Sequence, residues 1–115
     1  MTFRRGDIVL VLYPDSNQRT AKRRPALVVQ ADQLGTTLPQ TIIAMITSNM
    51  ARAGHPSRVT ILVNGKGGSG SGLLMDSVIM ADNVATIHES EIENVIGHFP
   101  RMNEIDEALR VTLAL

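Results

Sequence analysis

The chain is divided into short apolar runs, separated by polar segments that are rich in glycine, proline and other turn-forming residues. Runs of this length, bounded by turn formers and rich in Val and Ile, favour strands over helices. We predict strands over residues 7–13, 25–31, 41–48, 58–64, 73–80 and 85–87. A series of short strands predicts a sheet-based fold or a small barrel.

The apolar pattern changes after residue 88. Ser90-Glu91-Ile92-Glu93 is a capping-box sequence and predicts a short helix that ends at Gly97. Asn103 can cap a last helix, whose buried stripe would comprise Ile105, Ala108, Leu109, Thr112 and Leu113. The sequence therefore predicts an α+β, mostly β fold with C-terminal helices.

Composition limits the classes of protein that this chain can be. At 115 residues it is expected to form one domain, residues 1–115. The absence of cysteine excludes disulfides and thiolate zinc sites, and the three histidines have no metal-ligand spacing, so we expect no metal and no cofactor. No apolar run has the length of a membrane span or of a signal peptide, so no membrane partner is expected.

The formal net charge is zero, but the charges are unevenly distributed. Six basic residues fall in the first quarter of the chain: Arg4, Arg5, Arg19, Lys22, Arg23 and Arg24. Most of the acidic residues fall in the last quarter. Because local potential matters more than net charge for phosphate binding, a basic face remains possible.

Two separated segments carry the chemistry. Lys22-Arg23-Arg24-Pro25 leads into one predicted strand, and Thr47-Ser48 ends another. If these strands pair antiparallel, the start of one lies beside the end of the other. A guanidinium and two hydroxyls at one place suit the phosphate ester of RNA. The alternative stays open that Arg24 is a surface arginine and that the hydroxyls bond only the local backbone.

Two other features are less informative about function. Gly65–Gly70 matches G-x-G-x-x-G, but strand-like sequence follows it, so we interpret it as a hairpin loop and not as a dinucleotide site. Phe3, Tyr13 and Phe99 are too few aromatic residues for a base-stacking surface. Any RNA recognition would then depend on hydrogen bonds and charge.

Four segments in this order resemble the MazF/PemK family of toxin endoribonucleases: residues 5–11, 22–29, 46–49 and 71–79. The resemblance implies an SH3-like small β-barrel, the MazF/CcdB-type toxin fold, that forms a homodimer. It also implies metal-independent, sequence-selective cleavage of single-stranded mRNA, giving 2′,3′-cyclic phosphate and 5′-hydroxyl ends. The implied partner is a cognate antitoxin protein, and the implied location is the bacterial cytoplasm.

The resemblance also assigns roles to residues of this chain. The catalytic pair would be Arg24 and Thr47. The residues expected to line the RNA path are Ser48, Lys22, Arg23, Arg52 and His55. Some members carry an arginine two residues before an aspartate that could match Asp82, whereas this chain has Met80 there. The general base therefore stays open between Asp82, Asp15 and a water held by Arg24 and Thr47.

Two other functions remain as alternatives. One is a CcdB-like toxin that binds a topoisomerase and cuts no RNA, since one fold can serve several functions. The other is a degenerate member that binds its antitoxin and regulates its own operon, which the Met80 departure suggests.

Overall fold

The computed structural model describes residues 3–14, 21–65 and 68–115. These residues form one antiparallel sheet and one helix. The elements are β1 (Asp7–Pro14), β2 (Ala21–Val28), β3 (Gln40–Thr47), β4 (Arg58–Ile61), β5 (Ser77–His88), β6 (Ile92–His98) and α1 (Met102–Leu113). The strand order is β4-β5-β3-β2-β1-β6. This confirms the mostly β class, although in the part described the sheet is open, with β4 and β6 at its edges.

The predicted helix between Ser90 and Gly97 is wrong. Glu89–Glu91 forms a single 3-10 turn, and β6 begins directly afterwards. The His88 side chain accepts the hydrogen bond of the Ser90 backbone N–H, so Ser90 does not act as the cap. β6 pairs with β1, which has no other partner on that side, and this tertiary pairing outweighs the local helix signal. The fold therefore has one C-terminal helix.

Two strand predictions also needed correction. β2 begins at Ala21 and not at Pro25, because its basic first half pairs with β1. The predicted pieces over 73–80 and 85–87 fall on one long strand, β5, except that residues 73–76 precede it. Against β3 the register of β5 jumps from Ala44↔Val84 to Met45↔Met80. The residues between, 81–83, form a bulge, and such bulges redirect side chains locally.

The sheet has a buried apolar cluster on each of its faces. One cluster includes Ile8, Leu27 and Ile46, and α1 packs on it through Ile105 and Ala108. The other includes Val9, Val28 and Ile43. Successive strand residues point to opposite faces, which explains why neighbours in the sequence belong to different clusters.

The predicted stripe of α1 is only partly buried. Ile105 and Ala108 are buried, and Leu109 packs at the edge of the cluster. Thr112 and Leu113 are exposed. The helix begins at Met102, so Asn103 lies within its first turn and does not cap it. No helix in the described ranges combines the length and the apolar character needed to cross a membrane.

The segment before β5 crosses β6 at very short range. An added Cβ at Gly72 would lie 2.2 Å from the Ile96 carbonyl oxygen, and Gly72 has a φ of +76°. Gly70 has a similar φ of +85°, but a Cβ there would meet no atom within 4 Å. Both glycines therefore adopt a positive φ, but only at Gly72 would an added side chain collide with a neighbouring strand.

We expect Gly72→Ala to reduce the free energy of unfolding more than Gly70→Ala does. Both substitutions place an alanine at a positive φ, which is destabilising. Only the alanine at position 72 also collides with β6, and this collision lowers the free energy of unfolding by about a further 1–3 kcal/mol. Equilibrium urea unfolding of both variants measures the difference. Equal losses would show that the contact with β6 is not tight.

Candidate functional site

A groove opens where β2 separates from β3. The two strands are paired only from Ala26↔Met45 to Val28↔Ile43. Before Ala26, β2 stays with β1 as far as Ala21, whereas β3 stays with β5 as far as Thr47. The strands thus diverge, and a groove of about 550 Å³ lies between them. We call it the main groove.

The main groove collects most of the residues predicted for the site. Its polar wall contains Lys22, Arg23, Arg24, Thr47 and Ser48. Ala26 of β2 pairs with Met45 of β3. Two residues further along the same register, Arg24 lies level with Thr47. The start of one strand therefore lies beside the end of the other, as the antiparallel pairing predicted. The apolar wall is formed by Leu10, Pro25, Ile46, Leu73, Leu74, Met75 and Ile96.

The Thr47 hydroxyl makes a local backbone hydrogen bond. Its Oγ1 accepts a hydrogen bond from the Asn49 backbone N–H at 3.1 Å. This is the local backbone bond expected for a threonine at a strand end. A hydroxyl that accepts in this way still has its own proton to donate. Thr47 is half-buried and lines the groove, and Ser48 beside it is exposed.

The three cations on the groove wall are not equivalent. Arg23 forms an ion pair with Glu93 on β6, with 2.6 Å between Nε and the carboxylate oxygen. Lys22 and Arg24 are exposed and line the same wall. Since a carboxylate already offsets part of the charge of Arg23, the field in the groove depends chiefly on Lys22 and Arg24.

A second groove, of about 420 Å³, adjoins the first through Thr47. It is lined by Thr47, Asn49, Arg52, Arg58, Met80, Asp82 and Asn83. Arg52 and Asp82 therefore lie near the predicted site but in a separate recess. We call this recess the side groove.

Asp82 is held by an arginine that the sequence analysis did not single out. Arg58 donates from Nη2 to Asp82 Oδ2 at 2.9 Å and from Nε to Oδ1 at 3.3 Å. Its Nη1 also donates to the Arg52 carbonyl oxygen at 3.1 Å. This hydrogen-bonded guanidinium holds the pKa of Asp82 below its ordinary value of 3.8.

Arg58 lies opposite the Met80 position. The two residues pair directly across β4 and β5. The cation beside Asp82 therefore stands on the neighbouring strand, β4. Linear spacing could not reveal this, because Arg58 and Asp82 are 24 residues apart and meet only through the pairing and the bulge.

One predicted residue lies away from these grooves. His55 contacts Ser57, with 2.7 Å between Nδ1 and the hydroxyl oxygen, and lines neither groove. Asp15 lies outside the described residues, as do Lys66 and Gly67 of the glycine-rich segment. Within the described ranges, no three His, Asp or Glu side chains are grouped so as to hold a metal ion.

The fold, a mostly antiparallel sheet followed by a C-terminal helix, is also that of solved proteins. A solved endoribonuclease in complex with its cognate antitoxin, from a mycobacterial species, superimposes with a TM-score of 0.75. The match covers 99% of this chain and 97% of that one at 21% sequence identity, and it bears on the fold alone.

Sequence similarity identifies the family. The pattern of the PemK-like, MazF-like toxins of type II toxin–antitoxin systems matches residues 4–113. The chain is 35% identical over 107 residues to endoribonuclease MazF6 of Mycobacterium tuberculosis, covering 90% of each sequence. It is 32% identical over 118 residues to endoribonuclease EndoA of Bacillus subtilis, covering 100% of this chain and 97% of the relative. The chain belongs to the PemK/MazF toxin family.

The ion pair in the side groove gives a pH-dependent prediction. Because the folded-state pKa of Asp82 is lowered, its contribution to stability is present above the ordinary value of 3.8 and is lost as pH falls through the folded-state pKa. We expect an NMR titration of the Asp82 carboxyl to have its midpoint below 3.8. In Arg58→Met the midpoint should rise, and an unchanged midpoint would show that Arg58 does not stabilise the carboxylate.

Proposed function

We propose that this protein is the toxin of a toxin–antitoxin pair and cleaves single-stranded mRNA at selected sequences. The main support is the convergence of Arg24 and Thr47 on one groove, in a chain whose relatives bear the name endoribonuclease. Cleavage proceeds by attack of the ribose 2′-oxygen on the adjacent phosphorus, which breaks the bond from phosphorus to the 5′-oxygen; that oxygen leaves with a proton delivered through a water held by Arg24. The products are a 2′,3′-cyclic phosphate and a 5′-hydroxyl.

Arg24 binds the scissile phosphate. A guanidinium keeps its charge at every working pH and can donate two parallel hydrogen bonds to phosphate oxygens. Negative charge builds on those oxygens as the pentavalent phosphorane forms, so a fixed cation favours the transition state over the ground state. The exposure of Arg24 on the groove wall makes it accessible to RNA.

Thr47 positions the attacking ribose. Its Oγ1 is anchored by the Asn49 N–H, so its remaining proton has a restricted direction. A hydroxyl held in this way can donate to the 2′-oxygen or to a phosphate oxygen and align the two for in-line attack. Ser48, Lys22 and Arg23 extend the polar wall along which the RNA backbone would lie.

The 2′-hydroxyl proton needs an acceptor. Asp82 is poorly suited, because Arg58 holds it as a stable carboxylate and a lower pKa makes a weaker base. A water held by Arg24 and Thr47 and the Asp15 carboxylate are the other candidates. None of these routes requires a metal ion, and we propose that the reaction is metal-independent.

The same groove suits a cognate antitoxin. Its apolar wall, with Leu74 95% exposed and Met75 58% exposed, can receive apolar side chains, while its basic wall can receive carboxylates. A bound antitoxin segment would then exclude RNA. We further propose that the toxin acts as a homodimer in the bacterial cytoplasm.

The structure gives less support to the alternatives. A topoisomerase-binding toxin needs neither a guanidinium nor a hydroxyl at the strand divergence. The degenerate regulator was suggested by Met80, and Arg58 restores a cation beside Asp82.

We expect Arg24→Ala to lower the cleavage rate by about 10²- to 10³-fold, because it removes the main donor to the developing charge. The assay uses purified, antitoxin-free protein with long single-stranded RNA in EDTA, and maps the product ends. Arg110→Ala is the matched control, since Arg110 lies on α1 and pairs with Glu107. Folded Arg24→Ala that cuts as fast as wild type would contradict the proposal.

RNA affinity should also show the contribution of the basic wall. Each lysine that neutralises a phosphate of single-stranded RNA contributes about 0.7 to the slope of log affinity against log salt concentration. We expect Lys22→Ala to reduce the slope by roughly that amount, measured by fluorescence anisotropy with an RNA that carries a 2′-deoxynucleotide only at the cleavage position. An unchanged slope would place the RNA backbone away from Lys22.

A further inference from the structure

The β5 bulge and Arg58 together immobilise one carboxylate beside the proposed cleavage site. The bulge leaves residues 81–83 without partners on β3, which places Asp82 at the sheet surface. Arg58 holds both Asp82 oxygens and is itself fixed to the Arg52 carbonyl. A carboxylate restrained on two sides has one defined orientation.

This carboxylate has acceptor capacity that its partner does not use. Two carboxylate oxygens offer about four acceptor positions, and Arg58 occupies two of them. The Asp82 side chain is 33% exposed and lines the side groove. A ligand there would meet a fixed acceptor that carries a full negative charge.

A donor lies in the same recess. Asn49 accepts from the Ala51 N–H at 3.1 Å through Oδ1, which directs its amide nitrogen elsewhere as a donor. Thr47 connects this recess to the main groove. The side groove, at about 420 Å³, lies within the range of roughly 300–1,000 Å³ that small-molecule sites occupy.

The chemistry favours a nucleobase over a phosphate. Arg52 and Arg58 also line the side groove and can receive a phosphate, but a phosphate in contact with the Asp82 oxygens would be repelled, so the group that contacts those oxygens is a hydrogen-bond donor. The edges of unpaired bases combine donors and acceptors, and proteins commonly read them by hydrogen bonds when the RNA is single-stranded. A carboxylate accepts from exocyclic amino groups, as aspartate does with the amino group of cytosine.

We propose that Asp82, positioned by Arg58, selects a base that bears an exocyclic amino group at a position flanking the scissile phosphate. Adenine, cytosine and guanine carry such a group, whereas uracil presents carbonyl oxygens on either side of its single N–H. Those oxygens face the fixed carboxylate unfavourably. This inference rests on the proposed ribonuclease function and adds a specificity-determining residue to it.

The test removes the amino group from the RNA and the carboxylate from the protein. Within a mapped cleavage site, each amino-bearing base is replaced in turn by an analogue that lacks the amino group. Unsubstituted purine replaces adenine, hypoxanthine replaces guanine, and pyrimidin-2-one replaces cytosine. We expect one flanking position at which wild-type kcat/KM falls by about ten- to a hundredfold, because a charged hydrogen bond is lost.

Asp82→Asn should remove most of that penalty and should also allow uracil at the same position. An asparagine amide can donate to a uracil carbonyl, which a carboxylate cannot do. The matched control is Asp106→Asn, because Asp106 is also paired with an arginine, Arg5, but lines neither groove. The control should keep the wild-type base preference.

Each outcome decides the proposal. Cleavage by Asp82→Asn with the wild-type base preference overturns it, as does a uniform loss of rate at every site, which would indicate a proton acceptor. If Asp82→Asn does not fold, the wild-type analogue series decides, and the absence of any penalised flanking position overturns the proposal. Wild-type protein that cuts no RNA overturns the ribonuclease function itself, and this inference with it.

Discussion

The separation of β2 from β3 is the constraint on which the rest of the site depends. The two strands pair only through Ala26–Val28 of β2. Before Ala26, β2 pairs with β1 alone, and after Met45, β3 pairs with β5 alone. Continued pairing would fill the space with backbone hydrogen bonds and leave no recess. The divergence instead exposes Arg24 and Thr47 at one level of the sheet, while the apolar clusters on both faces keep the strands in place.

A second irregularity complements the first. The bulge in β5 brings Asp82 out of the ladder, and β4 places Arg58 within reach of it. The cation comes from the strand adjacent to that of the carboxylate. The pair therefore depends on the strand register, which brings two distant sequence positions together.

The sequence predicted the first four strands, the last helix, and the meeting of Lys22, Arg23 and Arg24 with Thr47 and Ser48. These predictions succeeded because apolar runs and turn formers are local signals, and because one antiparallel pairing was enough to join the two segments. The helix at Ser90 failed because pairing of β6 with β1 outweighed a local cap. Arg58 was missed because its role depends on register and a bulge, which no short window of sequence contains.

We infer that the scissile phosphate lies in the main groove between Arg24 and Thr47. The most direct test is a crystal structure with an RNA that carries a 2′-deoxynucleotide at the cleavage position, which removes the attacking oxygen and keeps the phosphate. We expect phosphate oxygens within about 3 Å of the Arg24 guanidinium, and the adjoining sugar or phosphate in contact with Thr47 Oγ1. RNA bound with that phosphate away from both residues would contradict the account.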